Sequence, residues 1–332
     1  MRILKVLVTG GAGYIGSHTA RQLAAEGYEV VIYDNLSRGH REAVSGFNFV
    51  RGDVRDKDRL RRVIKEEGIS AVLHFAANSQ VGESVENPEL YYENNVAGGL
   101  SLLSVVLETG IKYFIFSSSA AVYGEPQYVP IDEEHTLNPT NPYGETKVIL
   151  ERALAAYDKA YNLKSVSLRY FNACGAHMGE DIGEDHEPET HLIPLVLKTA
   201  LGQREQLIVF GKDYPTKDGT AVRDYIHVDD LARAHVISLK YLLDGGETTC
   251  FNLGNGNGFS VLDVIKAAEK VTGRKVPYKF GNRRPGDPAI LVASAEKIKR
   301  ELGWEPEITS LERIIQSAWE WHRKHPTGFA KR

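Results

Sequence analysis

The chain has 332 residues, of which 42% are hydrophobic and 25% charged, and its formal net charge is −4. These values predict a globular fold of one large or two moderate domains and give no electrostatic case for nucleic-acid binding. No apolar run approaches the ~20 residues of a membrane span, and two cysteines without a signal-peptide pattern predict a cytoplasmic protein.

The first unit along the chain is a strand, a glycine-rich turn and a helix. Residues 3–9 are rich in Val, Leu and Ile, which predicts a buried parallel strand. The turn and helix start follow as Gly10-Gly11-Ala12-Gly13-Tyr14-Ile15-Gly16. Gly10 permits the tight turn, Gly13 the approach of a pyrophosphate, and Gly16 close packing of the helix on the strand. This order predicts a dinucleotide-binding turn with the phosphates at the helix N-terminus.

Asp34 follows the second predicted strand, residues 29–33. It stands at about the distance from the glycines at which a carboxylate holds the ribose hydroxyls of an adenosine. Because that carboxylate would repel a 2′-phosphate, the sequence favours NAD over NADP, although Arg38 lies close by and weakens the inference.

Small and polar residues follow the next predicted strands. Asp53 comes after the strand at 47–50, where it would either meet the adenine or cap the next helix. Phe75-Ala76-Ala77 ends the strand at 71–75, where small side chains let a cofactor lie across the sheet edge. Asn94 and its neighbour Asn95, in a predicted helix over residues 91–108, would either bond internally or hold the catalytic segment in place.

The strongest catalytic pattern is a tyrosine followed four residues later by a lysine. Tyr143 and Lys147 would share one face of a helix, one turn apart, and Ser119 ends a strand at the ligand-binding edge of the sheet. A nearby ammonium favours the phenolate and lowers the tyrosine pKa from its ordinary value of about 10. Taken alone, the Tyr-x-x-x-Lys pattern is more often a surface pair, so its weight comes from the dinucleotide turn.

Several motifs occur together in one order. They are the glycine-rich turn, Asp34-Asn35, Ser117-Ser118-Ser119-Ala120, Val122-Tyr123-Gly124, Pro142-Tyr143-Gly144, Arg169-Tyr170-Phe171-Asn172, Val222-Arg223-Asp224-Tyr225 and Arg283-Arg284. In this combination the chain resembles the UDP-glucose (UDP-galactose) 4-epimerases, a family of extended short-chain dehydrogenases, over essentially its whole length.

The resemblance and the alternation of strands and helices imply an α/β fold. We expect a doubly wound parallel (Rossmann) sheet with helices on both faces, and a smaller mixed α/β C-terminal substrate domain. The NAD-binding domain would span residues 1–175, with segments of about 223–254 returning to it. A discontinuous UDP-sugar-binding domain would span 176–332, and helices near 91–108 and 148–161 would form a homodimer.

The implied activity is interconversion of UDP-galactose and UDP-glucose by transient oxidation at the sugar C4. Tyr143 would remove the proton of the 4-hydroxyl, Ser119 would bond the 4-oxygen, and Lys147 would hold the nicotinamide ribose. The 4-keto sugar would turn over within the site before the hydride returns, and NAD would stay bound.

The resemblance also implies a set of contact residues. The cofactor contacts would come from Gly10, Gly13, Tyr14, Ile15, Gly16, Asp34, Asn35, Asp53, Val54, Phe75, Ala76, Ala77, Asn94, Ser117, Tyr143, Lys147, Tyr170 and Phe171. The UDP-sugar contacts would come from Ser119, Tyr143, Asn172, Leu192, Phe210, Arg223, Arg284 and Asp287. The competing interpretation of the two arginines is that they form ion pairs with Asp224 and Asp287.

Three positions depart from the pattern of some family members. Ser79 replaces a lysine near the pyrophosphate, which predicts weaker NAD retention, and His191 replaces a uridine-binding asparagine. Leu291 stands where the family varies between tyrosine and smaller residues, so a leucine would admit N-acetylhexosamines.

Other enzyme classes, and one non-enzymatic role, share parts of this sequence pattern. A 4,6-dehydratase would need an acid pair where Ala120-Ala121 follow the serines. Epimerases of UDP-N-acetylhexosamines or UDP-glucuronate, UDP-glucuronate decarboxylases and a non-catalytic NAD-sensing regulator remain open. His177, Asp181, Asp185, His186 and His191 fit no zinc spacing, so the sequence predicts no metal site.

Overall fold

The computed structural model describes residues 4–284 and 287–329. Its strands are β1 (Lys5–Thr9), β2 (Glu29–Asp34), β3 (Asn48–Arg51), β4 (Ala71–His74), β5 (Tyr113–Ser119), β6 (Lys164–Tyr170), β7 (Asn172–Cys174), β8 (Leu207–Phe210), β9 (Val222–His227), β10 (Thr249–Leu253), β11 (Gly258–Ser260), β12 (Tyr278–Gly281) and β13 (Ile290–Leu291). Its helices are α1 (Tyr14–Ala25), α2 (Lys57–Glu67), α3 (Val81–Glu86), α4 (Pro88–Tyr91), α5 (Gly98–Glu108), α6 (Pro142–Tyr161), α7 (Leu192–Ala200), α8 (Val228–Leu243), α9 (Val261–Thr272), α10 (Glu296–Leu302) and α11 (Leu311–Lys324).

A seven-stranded parallel sheet forms the centre of the molecule, in the order β10-β6-β5-β4-β1-β2-β3. The strand order runs outward in opposite directions from β1 and β4. This reversal is the topological switch point at which open α/β sheets bind ligands, beyond the carboxyl ends of the strands.

Helices cover both faces of this sheet, which confirms the predicted Rossmann fold. One face packs against α1 and α8 through side chains such as Leu23 and Leu231. The other packs against α2, α5 and α6, with Leu60, Leu102 and Leu150 among the buried side chains. The strands of the sheet interior are apolar toward both faces because neither face meets water.

A smaller mixed sheet continues from the carboxyl end of the main one. Strand β7 begins two residues after β6 ends and pairs with β9, which also pairs with β11 and β13. Helices α7, α9 and α11 pack together beside it, and β8 pairs separately with β12. The small sheet therefore lies next to the edge where ligands bind.

The structure differs from the sequence expectation in several elements. The predicted helix over 91–108 is divided into α4, a π-helical segment (Tyr92–Ala97) and α5. Helix α6 begins at Pro142, before the predicted start at 148. The strands β7, β11 and β13 were missed because two or three residues carry no readable period. In the part of the chain described here, no helix has both the length and the apolar character needed to cross a membrane.

Candidate active site

Tyr143 and Lys147 lie in the first two turns of α6, and both side chains are buried. Pro142 occupies the first helical position, and Asn141 caps the helix by accepting a hydrogen bond of 2.9 Å from the Gly144 N–H. The Lys147 Nζ lies 5.6 Å from the centre of the Tyr143 ring. The helix start therefore brings the two side chains together as their spacing suggests.

The expected lowering of the tyrosine pKa by the lysine is wrong for the protein chain alone. Burial raises the pKa of Tyr143 above its ordinary value, and the nearby Ser119 side chain opposes the rise only in part. Burial likewise lowers the pKa of Lys147 to about 7, with Glu151 opposing. Both groups are desolvated in the same pocket, so the amine is not a full cation at neutral pH.

Three consecutive serines at the end of β5 face different partners. Ser117 forms a hydrogen bond with the Tyr170 hydroxyl, and Ser118 Oγ donates to Glu151 Oε1 at 2.5 Å. Ser119 Oγ accepts from the Ala121 N–H at 3.2 Å. The Ser119 hydroxyl hydrogen is therefore not used in that bond and can be donated to a ligand oxygen.

A buried ion pair beneath the catalytic residues was missed by the sequence reasoning. Glu151 Oε2 lies 2.6 Å from Arg169 Nη2, and Arg169 Nη1 donates to the Tyr123 hydroxyl at 3.0 Å. This pair ties α6 to β6. The available signal was that Glu151 stands four residues after Lys147, on the same helix face.

Asn95 connects the catalytic helix to the loop after β4. Its Nδ2 donates to the Asn78 carbonyl at 3.0 Å and to Thr146 Oγ1 at 3.1 Å, while its Oδ1 accepts from the Asn78 N–H at 2.8 Å. Thr146 in turn donates to the Tyr143 carbonyl at 2.7 Å. The buried asparagine thus does hold the catalytic segment.

A cleft at the switch point gathers half of the predicted cofactor residues. Its lining includes Gly10, Gly13, Asp34, Asn35, Val54, Phe75, Ala76, Ala77 and Asn94. Gly10 has φ +70°, and a Cβ on it would lie 2.4 Å from the Ala76 nitrogen, so only glycine fits this turn. A Cβ on Gly16 would lie 2.5 Å from the Gly10 carbonyl oxygen, which explains the close packing of helix on turn.

Asp34 lines the cleft, and two backbone N–H groups hold its carboxylate. Its carboxylate accepts from the Ala12 N–H at 3.0 Å and the Leu36 N–H at 2.7 Å. Burial raises its pKa, and these two N–H groups oppose the rise. Arg38 is engaged elsewhere, because it donates to Glu83 at 2.5 Å and to the Glu187 carbonyl at 3.1 Å.

The side chains of Tyr14 and Ile15 are engaged away from the cleft, whereas Asp53 lies beside it. The Tyr14 hydroxyl donates to the Gly175 carbonyl at 2.7 Å, and Ile15 packs against the core of the main sheet. The Asp53 carboxylate accepts bonds of 2.8 Å from Arg55, and the next helix is capped by Asp56 instead. Asp53 therefore does not cap that helix. Its carboxylate also accepts a hydrogen bond of 3.0 Å from Asn35 Nδ2, and Asn35 lines the cleft, so a contact of Asp53 with the adenine stays a prediction.

Three further predicted cofactor residues lie beside the catalytic helix α6 and not in the cleft: Ser117, Tyr170 and Phe171. Ser117 and Tyr170 share a hydrogen bond, and the Ser117 carbonyl accepts from Lys147 Nζ. Phe171 packs in a buried cluster with Val122 and Val148.

The residues predicted for the nucleotide lie around β8, β9 and the segment before β13. Arg223 pairs with the carboxylate of Asp287 and also donates to the Val222 carbonyl at 2.7 Å. Arg284 lies over the Phe210 ring, 4.1 Å from its centre. Leu192 is the first residue of α7, and Asn172 is exposed at the start of β7.

Asp224 does not pair with Arg223. Its carboxylate accepts three backbone N–H groups, from Asn255 at 2.7 Å, Gly256 at 3.0 Å and Ala293 at 3.1 Å. Burial raises its pKa to about 6 despite these bonds. The competing interpretation is thus wrong in pairing Arg223 with Asp224, because the ion-pair partner of Arg223 is Asp287.

The three divergent positions have distinct surroundings. Ser79 is exposed beside the cleft. Leu291 pairs in register with Arg223 and packs against the cluster containing Val122 and Phe171. His191 lies with His186 in a group completed by two glutamates that the sequence reasoning missed, Glu184 and Glu189.

The chain is similar to known proteins over nearly its whole length. The chain matches the family model described as GDP-mannose 4,6 dehydratase over residues 7–318. It is 52% identical over 327 residues to the UDP-glucose 4-epimerase of Halalkalibacterium halodurans, covering 98% of this chain and 98% of that protein.

Two solved structures share the architecture. UDP-glucose 4-epimerase from Brucella ovis, in complex with NAD, is 48% identical with a TM-score of 0.93, and the match covers 96% of this chain and 98% of that one. The enzyme from Bifidobacterium longum, in complex with NAD⁺ and UDP, is 43% identical with a TM-score of 0.93, covering 98% and 100%. This chain therefore belongs to the UDP-glucose 4-epimerase family of extended short-chain dehydrogenases.

Proposed function

We propose that the protein interconverts UDP-galactose and UDP-glucose, using a bound NAD that is regenerated in each cycle. The observation that carries the proposal is the grouping of Ser119, Tyr143 and Lys147 at the carboxyl edge of the sheet, beside a cleft with a dinucleotide-type turn. The similarity to named UDP-glucose 4-epimerases supports the same substrate class.

The cleft suits NAD on two grounds. The glycine turn lets a pyrophosphate approach the start of α1, whose first N–H groups have no partner inside the helix. The Asp34 carboxylate, with Arg38 held by Glu83, favours ribose hydroxyls over a 2′-phosphate. NAD, when bound, accepts hydride from the sugar C4 and returns it to the opposite face.

The chain's own residues handle the proton and the sugar. Tyr143 takes the proton of the 4-hydroxyl, while Ser119 donates a hydrogen bond to the same oxygen and positions it. Lys147, anchored on the Ser117 carbonyl, binds the nicotinamide ribose. Because Lys147 alone does not lower the pKa of Tyr143, the Tyr143 phenolate would depend on the positive charge of a nicotinamide ring held beside it.

The nucleotide is held while the sugar turns. Arg223 and Arg284 suit a diphosphate, because guanidinium groups bind phosphate oxygens in pairs. Asp287 holds Arg223 in place, and Phe210 supports Arg284 from below. Leu192 and Asn172 complete the nucleotide side of the site.

One observation favours a second substrate class. Leu291 faces the cluster around Val122 and Phe171, beside the predicted sugar position, and is smaller than a tyrosine. UDP-N-acetylhexosamines are therefore the second candidate substrates. Elimination by a 4,6-dehydratase is disfavoured, because Ala120 and Ala121 supply no acid or base after β5.

We also propose a division into domains and a homodimeric assembly. Residues 1–175, with about 223–254, would hold NAD, and 176–332 would hold the UDP-sugar. A homodimer through α5 and α6 is supported by exposed apolar side chains there, Leu100 and Tyr161. Size-exclusion chromatography with light scattering measures the molar mass of the protein and so tests whether it is a dimer.

The direct test of the function uses purified protein and UDP-galactose with no added cofactor. We expect UDP-glucose to accumulate to an equilibrium mixture, as resolved by chromatography. Folded protein that produces none, even after NAD is supplied, would overturn the proposal.

A further inference from the structure

The segment between β7 and α7 gathers two histidines and two glutamates. One potential ligand atom from each of Glu184, His186, Glu189 and His191 lies within 4.8 Å of the others. The side chains of both glutamates are only 4% exposed. Two carboxylates are thus enclosed together.

The spacing of these atoms is that of ligands around one centre. His191 Nδ1 lies 3.0 Å from Glu184 Oε1 and shares a hydrogen bond of 3.0 Å with Glu189 Oε1. His186 Nδ1 lies 3.3 Å from Glu184 Oε1 and 3.7 Å from Glu189 Oε2. Ligands held tetrahedrally about 2.0–2.1 Å from a zinc ion are about 3.3 Å apart.

Two atoms of the group are buried without a hydrogen-bond partner in the described part of the chain. They are His186 Nδ1 and Glu189 Oε2, which face each other. A buried polar atom left unpaired costs about 1–3 kcal/mol, so such atoms usually meet an ion or a water. This observation points to a ligand at their common centre.

The alternative is that the histidines carry the compensating charge. Burial alone would lower both values, but the two glutamates raise the pKa of His186 to about 9 and that of His191 to about 10. Two imidazolium rings would then neutralise two carboxylates. That arrangement requires each ring to donate a proton to a glutamate. His191 Nδ1 shares such a hydrogen bond with Glu189 Oε1, but His186 Nδ1 makes none.

We propose that Glu184, His186, Glu189 and His191 bind one divalent transition-metal ion of the zinc class. Imidazole and carboxylate ligands suit zinc, and two carboxylates balance its charge while the histidines stay neutral. Four protein ligands leave no open coordination position, so the ion is structural and takes no part in the reaction.

The position of the site indicates what the ion would hold. Arg38 donates to the Glu187 carbonyl at 3.1 Å, and Gln80 donates to the Pro188 carbonyl at 2.8 Å. Leu192 follows the last ligand directly and begins α7. The metal would therefore fix the segment that joins the cofactor cleft to the nucleotide side of the site.

The test measures metal in the full-length, tag-free protein. Mass spectrometry of protein purified without chelator should give about one zinc-class ion per chain. After chelator treatment, a Co²⁺ titration should saturate at one equivalent with the intense visible absorption of tetrahedral cobalt.

Variants assign the ion to these residues. Glu189→Gln and His186→Gln should each weaken Co²⁺ binding by more than about 100-fold, since even loss of a residue behind a ligand costs 10–100-fold. Glu187→Gln is the matched control, because it removes the same charge from an exposed side chain of the same loop and should bind like the parent. Circular dichroism verifies that each variant is folded.

Three results would overturn the proposal. The first is protein with no bound metal and no saturable Co²⁺ uptake. The second is equal uptake by the parent and both ligand variants. The third is equal weakening by Glu187→Gln, which would mean that loop charge, and not ligation, governs binding.

Discussion

The Nζ of Lys147 donates a hydrogen bond of 2.7 Å to the carbonyl oxygen of Ser117. This bond joins the first turns of α6 to the last residues of β5, with the amine also 5.0 Å from the centre of the Phe116 ring. Within the described residues, it is the one hydrogen bond that the amine makes. A lysine amine has two N–H donors when neutral and three when protonated, so at least one remains for a bound ribose.

The buried amine makes a pH-dependent contribution to stability. Its pKa is lowered from 10.5 to about 7 by burial, so between these values the unfolded state holds a proton that the folded state lacks. The free energy of unfolding therefore rises with pH across that window, by up to roughly 1 kcal/mol per pH unit. Lys147→Met should lose this rise.

Urea unfolding of the cofactor-stripped parent and Lys147→Met at pH 7 and pH 9 measures it. We expect the parent to gain stability relative to the variant at the higher pH. Parallel behaviour of the two proteins would show that Lys147 is not desolvated as described.

Tyr143→Phe removes the proposed base and leaves the ring in place. Turnover of UDP-galactose should fall by about 10²–10⁴-fold, the usual contribution of a general acid–base group. The NAD released from the denatured variant should match that of the parent. Tyr278→Phe, at an exposed position on β12, is the control and should keep full activity.

Glu151→Gln breaks the buried pair with Arg169 and leaves a buried cation without its counter-charge. We expect a loss of about 3–5 kcal/mol in the free energy of unfolding. Glu108→Gln breaks a solvent-exposed pair with Arg61 and should cost far less, because water screens both charges. Denaturant titrations compare the two, and equal losses would contradict the burial argument.

Leu291→Tyr narrows the proposed sugar pocket. If the added ring costs the larger substrate about 1–3 kcal/mol, kcat/KM for UDP-N-acetylgalactosamine should fall by at least about fivefold relative to that for UDP-galactose. The ratio of the two substrates in one variant is its own control. An unchanged ratio would show that Leu291 does not line the sugar pocket.

The sequence predicted features that depend on neighbouring residues. The strand, the glycine turn and Asp34 follow one another, so the switch-point cleft could be expected before any contact was known. The same holds for Tyr143 and Lys147, because one helical turn joins them.

Features that depend on distant residues were missed or misassigned. Arg223 was paired with Asp224 as one possibility, yet successive strand residues point to opposite faces, and the partner is Asp287, 64 positions away. Asn95 meets Thr146 across 51 positions. The pKa of Tyr143 in the protein chain alone also differs from the expectation, because burial of both groups outweighs the charge of the lysine.

The central claim is that the hydrogen at C4 leaves the sugar and returns to it from the opposite side, without exchange with water. Incubating the protein with UDP-galactose deuterated at C4 and analysing the product by mass spectrometry and NMR tests this directly. We expect the UDP-glucose product to keep the deuterium at C4. Product with hydrogen at C4, and deuterium in the solvent, would contradict it.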